Sequence, residues 1–155
     1  MFAQMRRAER ALSEEESLGI LRCGQYGILS TIGPDGYPYG VPVSYAYKEH
    51  NILLHSAVDG HKISNIAFSD KVSFCVVGDT QPLPDKFSMI YKSVIAFGRI
   101  RKCIDDEKQD VLLNMLNKYA PNHQEKGIQY AEAVKEQVNT FCIEIEYLTG
   151  KARKQ

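Results

Sequence analysis

The stretch Tyr37-Pro38-Tyr39-Gly40-Val41-Pro42-Val43-Ser44-Tyr45-Ala46-Tyr47 decides the fold. Bulky residues stand at every second position: Tyr37, Tyr39, Val41, Val43, Tyr45 and Tyr47. Between them stand only small or ring-closed ones: Pro38, Gly40, Pro42, Ser44 and Ala46. Period two is the period of a strand, so one face is bulky and the other nearly bare.

The flanks extend this strand into a meander. Residues 26–32 are apolar and β-branched, and Pro34-Asp35-Gly36 supplies the backbone angles of a tight turn. A polar turn at 48–51 leads to a third strand at 52–56. These connections are too short for crossovers, so the strands run antiparallel and a doubly wound parallel sheet is excluded. Upstream, Ser13-Glu14-Glu15-Glu16 is a capping box that opens a helix through Leu18 and Leu21 to about Cys23, with Gly24 placed to end it.

Downstream, residues 61–69 read as a short helix with Ile63, Ile66 and Ala67 on one face, and Val72, Phe74 and Val76 alternate on a fourth strand. Residues 78–86, with Pro82 and Pro84, read as a surface loop. A long strand follows over 87–103, with Gly98 a bulge or close-approach point. Asp105 is placed to cap a helix through Tyr119 whose stripe is Leu112, Met115, Leu116 and Tyr119; a weaker helix spans about 128–136. The last strand sets Phe141, Ile143, Ile145 and Tyr147 opposite Glu144 and Glu146. The expected class is mainly β with α: a small antiparallel barrel with flanking helices, one domain over residues 1–155.

Composition narrows the function. The 155 residues carry 19 Lys plus Arg against 19 Asp plus Glu, a net charge of zero, which speaks against nucleic acid as a partner. No apolar run reaches membrane-spanning length, and no apolar segment follows Arg6, Arg7 and Arg10, so neither membrane nor secretion is expected. Cys23, Cys75, Cys103 and Cys142 are scattered without a Cys-x-x-Cys pair and read as buried small hydrophobes of a cytoplasmic protein. His50, His55, His61 and His123 have no metal-ligand spacing that compels a site, so no metal is expected. Nucleotide fingerprints and the nucleophile elbow are absent from the sequence.

One segment gathers chemistry. In Leu54-His55-Ser56-Ala57-Val58-Asp59-Gly60-His61-Lys62 a strand ends in an imidazole and a hydroxyl, turns at Gly60, and opens a helix with His61 and Lys62. Free amides and a partial positive charge at a helix start suit a phosphate, and Lys62 adds a full charge. The same pattern also suits a solvated His and Lys on a surface helix. Likewise, the small face of Gly40, Pro42, Ser44 and Ala46 could either admit a planar ring to the backbone or pack beneath a neighbouring element.

Five motifs in order then carry a resemblance: Met5-Arg6-Arg7; Pro38-Tyr39-Gly40-Val41-Pro42-Val43-Ser44-Tyr45; Leu54-His55-Ser56-Ala57 with Gly60-His61-Lys62; Ser93-Val94-Ile95-Ala96-Phe97-Gly98; and Leu148-Thr149-Gly150-Lys151. Together they resemble the nitroimidazole-resistance (Nim) family within the pyridoxamine 5′-phosphate oxidase-like, FMN-binding split-barrel superfamily. The resemblance implies a split β-barrel homodimer with FMN in a cleft between subunits. It implies that His61 and Lys62 hold the FMN phosphate, His61 standing where Arg is commoner, with Ser56 contacting the same group. It implies that the backbone of Val41, Pro42, Val43, Ser44 and Tyr45 meets the flavin ring and that His55 lies beside flavin and substrate as the catalytic residue. Ser93 and Phe97 match a strand of the partner subunit that lines the cleft. The implied activity is reduction of a small electron-poor substrate such as a nitroimidazole or other nitroaromatic. The alternatives are a flavin-binding or sensing module without turnover, and a haem-binding split barrel with His55 as ligand. A terminal Lys151-Ala152-Arg153-Lys154-Gln155 and the lack of Trp speak against vitamin biosynthesis.

Overall fold

A computed structural model of the chain describes residues 1–154. The capping box forms as read: Ser13 Oγ accepts the Glu16 N–H at 3.2 Å and Glu16 Oε2 accepts the Ser13 N–H at 3.0 Å, opening helix α1 (Glu14–Cys23). Gly24 ends it for reasons of space, because a Cβ there would lie 2.5 Å from both Tyr45 Oη and Val76 Cγ1.

Strands β1 (Gly27–Ile32), β2 (Pro38–Val43), β3 (Ala46–Lys48) and β4 (Asn51–Ala57) follow. After them come helix α2 (His61–Phe68), strands β5 (Lys71–Leu83) and β6 (Ser88–Cys103), helices α3 (Asp105–Tyr119) and α4 (Gln124–Val134), and strand β7 (Val138–Arg153). All strand pairs are antiparallel, in the order β2-β1-β5-β6-β7-β4-β3. The two edge strands are consecutive in the chain, separated by Ser44 and Tyr45 alone. The sheet must therefore roll until its edges meet end to end, and since β2 pairs with β1 and β3 with β4, it stays open there. This is a split antiparallel barrel with flanking helices. No helix among the described residues is long and apolar enough to cross a membrane.

The alternation in residues 39–47 survives this change of partner. Val41, Val43, Tyr45 and Tyr47 all join the interior, with Leu18 and Leu21 of α1, Leu29, Ile52, Leu54, Phe74 and Ile143. On the outer side, Ala46, Leu53, Cys103 and Cys142 pack under Val111 and Met115 of α3. Most of the tyrosine row is thus absorbed by the chain itself. Tyr45 is fully buried, Tyr47 lies under Arg22, Tyr39 stacks on His61, and only Tyr37, 75% exposed, is free of the barrel.

Four expectations need correction. Residues 78–86 do not form a loop: β5 continues to Leu83 through an irregularity between Gly78 and Gln81 and turns into β6 at Pro84–Lys86. Pro82 is tolerated there because this part of β5 pairs with β6 on one side only, so its missing N–H breaks no ladder. Asp105 makes no cap bond; Ile104 is the N-cap and Asp105 is the first residue of α3, where its charge still suits the helix start. The last helix begins earlier than expected, at Gln124. Finally, all four cysteines are free, but only Cys103 and Cys142 are buried; Cys75 is half-buried and Cys23 exposed at the end of α1. Gly98 does mark the close approach: the register shifts beside it and a Cβ would lie 2.2 Å from the Glu144 carbonyl oxygen.

Candidate functional site

The outer surface of β2 is bare. Gly40, Pro42 and Ser44 are exposed, whereas Ala46, next in the same stripe, is 4% exposed beneath α3. Pro38 and Pro42 lack an N–H, so they occupy the positions that face away from β1, and by alternation the Gly40 N–H and C=O also face the open edge. A flat group laid along residues 40–44 would meet main chain rather than side chains. Val41 and Val43 turn their side chains into the barrel, which leaves only their backbone to such a group.

Tyr45 differs. Its N–H donates to Tyr119 Oη at 3.0 Å, its carbonyl accepts from Lys118 Nζ at 2.9 Å, and its own hydroxyl donates to the Leu21 carbonyl at 2.6 Å. Its main-chain groups are already partnered by α3. Burial pushes the Tyr45 phenol well above its ordinary value. Burial also pulls Lys118, 3.7 Å above the Tyr45 ring, down to about 8. Tyr119 Oη lies 2.5 Å from the Gln25 carbonyl as well, so one hydroxyl ties α3 to the chain on both sides of β2.

His55 extends from the end of β4 on the outer face, the face of Leu53. Although His55 is exposed at the surface, desolvation first, and then the Lys62 charge, hold its pKa below the ordinary histidine value. Ser56 is buried and its Oγ donates to the Ala57 carbonyl at 2.8 Å.

Gly60 turns the chain with φ +121°, and no side chain caps α2; its first internal bond is Ser64 N–H to the Gly60 carbonyl at 3.1 Å. The amides of His61, Lys62 and Ile63 are consequently left without helical partners. The His61 ring rests on Tyr39 at 4.0 Å between centroids, which fixes it over β2. A helix end with free amides, a lysine and an imidazole beside a bare strand has the donors a phosphorylated planar ring needs.

Ser44, His55 and Ser56 share a cavity of about 730 Å³ that reaches between α3 and α4. Leu112, Met115, Leu116 and Tyr119, the stripe read as core, line it. Sequence reasoning missed this cavity, and it missed the contacts of Lys118 and Tyr119 with Tyr45, which join residues more than 70 apart.

Ser93 and Phe97 lie elsewhere. Both face outward on β6, opposite Lys151 and Tyr147 of β7, while His55 is opposite Thr140. Along β7 that separates them from His55 by roughly 20–35 Å at ~3.3 Å per residue. Phe97 instead forms an aromatic cluster with Phe2 and Tyr147, whose rings stack at 4.8 Å. One chain does not bring these two residues to the His55 site.

Comparison with known proteins agrees with this architecture. The model of the family described as pyridoxamine 5′-phosphate oxidase matches residues 13–152, and the chain belongs to that family. Among solved structures, a candidate 5-nitroimidazole antibiotic resistance protein from Bacteroides thetaiotaomicron is similar over 92% of this chain and 86% of its own, with 18% identity and a TM-score of 0.76. A FAD-binding protein from Mesorhizobium loti is 26% identical over 94% of this chain and 98% of its own, with a TM-score of 0.67. The flavocytochrome Anf3 from Azotobacter vinelandii is 16% identical over 98% of this chain and 73% of its own, with a TM-score of 0.83. No curated protein matches the chain.

Proposed function

We propose that the chain binds FMN in a cleft between two copies and acts as a flavin-dependent oxidoreductase on a small electron-poor acceptor, nitroaromatics among them. The observations that carry this reading are the bare stripe Gly40-Pro42-Ser44, whose Ser44 end shares a cavity with His55, and the uncapped start of α2, whose His61 rests on Tyr39 of the same strand. Lys62, His61 and the free amides of α2 would hold the phosphate, and the open edge of β2 would meet the ring. Bound there, the flavin supplies the redox chemistry, carrying two electrons from a reduced donor to the acceptor. His55 would donate an N–H hydrogen bond that orients an acceptor oxygen. The FAD-binding protein from Mesorhizobium loti supports a flavin as the cofactor, and the phosphate donors at α2 are the reason for choosing FMN.

A second copy accounts for two further features. The outer face of β5 and β6 leaves Val77 58% and Ile95 38% exposed, as expected of a surface that packs on another subunit. Ser93 and Phe97 on that face would then reach the cleft from the partner.

The test is anaerobic mixing of the FMN-loaded protein with NAD(P)H and then with a nitroimidazole. Flavin absorbance near 450 nm should bleach and then recover on a catalytic timescale. His55→Ala should keep FMN but slow the recovery at least tenfold. Bleaching without recovery would leave a flavin-binding module without turnover, and a Soret band in the purified protein would favour haem.

A further inference from the structure

We infer that the space between α3, α4 and the end of β4 is a binding pocket for a neutral aromatic molecule of about two fused rings bearing a hydrogen-bond-accepting oxygen, with α4 as its roof. The inference deepens the reading above by naming the acceptor class, but the binding it asserts does not require flavin.

Charge is the first argument. The chain has 19 basic and 19 acidic residues, yet among the described residues none of them lines this cavity. Leu112, Leu116 and Tyr119 from α3 and Tyr130, Ala131 and Val134 from α4 line it, with the exposed His55 of β4 at its border. Lys62, whose charge acts on His55, is outside the lining. An anionic ligand would find no cation inside and would lose its hydration there. A phosphorylated pyridine is therefore the wrong occupant.

Size and construction are the second. About 730 Å³ lies within the roughly 300–1,000 Å³ typical of small-molecule pockets, room for a fused-ring molecule with its substituent. Helix α4 approaches α3 through Gly127, where a Cβ would stand 2.0 Å from Leu116 Cδ1. Beyond that contact only Ala131 of α4 is buried, and Tyr130 stays 70% exposed although it borders the cavity. The two helices are in close contact at Gly127, and largely apolar side chains line the cavity between them. Leaving those walls to water is unfavourable in proportion to their area, and an apolar ligand removes that cost.

His55 supplies direction. Ser44, Ser56 and Gln137 also border the cavity, and beside them the His55 imidazole N–H orients a carbonyl or nitro oxygen while the ring system lies between the helices. Ser44 borders the same cavity, so the ligand would abut the bare stripe of β2.

Calorimetric titration of the full chain with 2-acetylnaphthalene, with and without FMN, tests the inference. One molecule should bind per chain in both conditions, and pyridoxine 5′-phosphate should bind at least tenfold more weakly. Val134→Asp places a carboxylate in the wall and Ala131→Phe fills the space. Each should weaken 2-acetylnaphthalene at least tenfold while the melting temperature and FMN affinity stay within error. No saturable binding, unchanged affinity in both variants, preference for pyridoxine 5′-phosphate, or competitive displacement by FMN would overturn the inference. Failure of FMN to bind while 2-acetylnaphthalene still binds would sink the flavin reading and leave the pocket standing.

Discussion

Ser44 and Ala46 belong to one stripe on one face of one run of chain, and only Tyr45 separates them. Ala46 is sealed beneath α3 with Leu53 and Cys142, while Ser44, Pro42 and Gly40 are left bare. The difference comes from where α3 ends. Tyr119, its last residue, reaches back to Tyr45 and fixes the helix terminus at that point. Identical small-residue patterning is core on one side of this boundary and available backbone on the other.

The contrast is broken most severely from the covered side. Leu53→Ala removes a 5% exposed side chain from beneath α3 and should cost about 2–5 kcal/mol in urea unfolding. Pro42→Lys, on the bare side, should change stability by no more than about 0.5 kcal/mol. It should nevertheless weaken FMN at least tenfold, by planting a long side chain where the ring would lie. Equal stability losses would mean the two halves are not different surfaces.

Tyr119→Phe attacks the boundary. The buried Tyr45 N–H loses its acceptor, and the expected cost is about 1–3 kcal/mol in urea unfolding. A loss near zero would show that the helix end is held by other contacts.

The smallest effect is a titration. Lys118 is drawn down to about 8 by burial from an ordinary 10.5. Between those values the unfolded chain binds more protons than the folded one, so stability attributable to this group should rise as pH increases from 8 to 10.5. Nuclear magnetic resonance of ¹³C-methylated lysines should give Lys118 a midpoint near 8, and a midpoint above 10 would contradict its burial.

Much of this was legible in the sequence where the signal is local. The Ser13–Glu16 capping box and the period-two run to Tyr47 each depend on near neighbours or on alternation alone. The segment from His55 to Lys62 was singled out for the same reason: strand end, turn and helix start are written in consecutive residues. What failed was non-local. Pro82 and Pro84 argue for a loop, but whether a proline disrupts a strand depends on which neighbour its nitrogen faces, and that is set by the β5–β6 register. The stripe Leu112, Met115, Leu116 and Tyr119 reads as core by periodicity, and Leu112 and Met115 are buried as read; what periodicity does not say is that the same stripe also borders a cavity. Tyr119 and Lys118 acquire their roles from Tyr45, in a different part of the sequence.

The phosphate anchor at the start of α2 is what the functional account depends on, and comparing FMN with riboflavin isolates it, because the two differ only by that group. Calorimetry on the wild type and on Lys62→Ala should give FMN at least a tenfold advantage over riboflavin in the wild type, consistent with about 1.5–3 kcal/mol for hydrogen bonds to a charged group. Most of that advantage should vanish in the variant. Equal affinity for the two flavins in the wild type, or an advantage untouched by Lys62→Ala, would contradict the account.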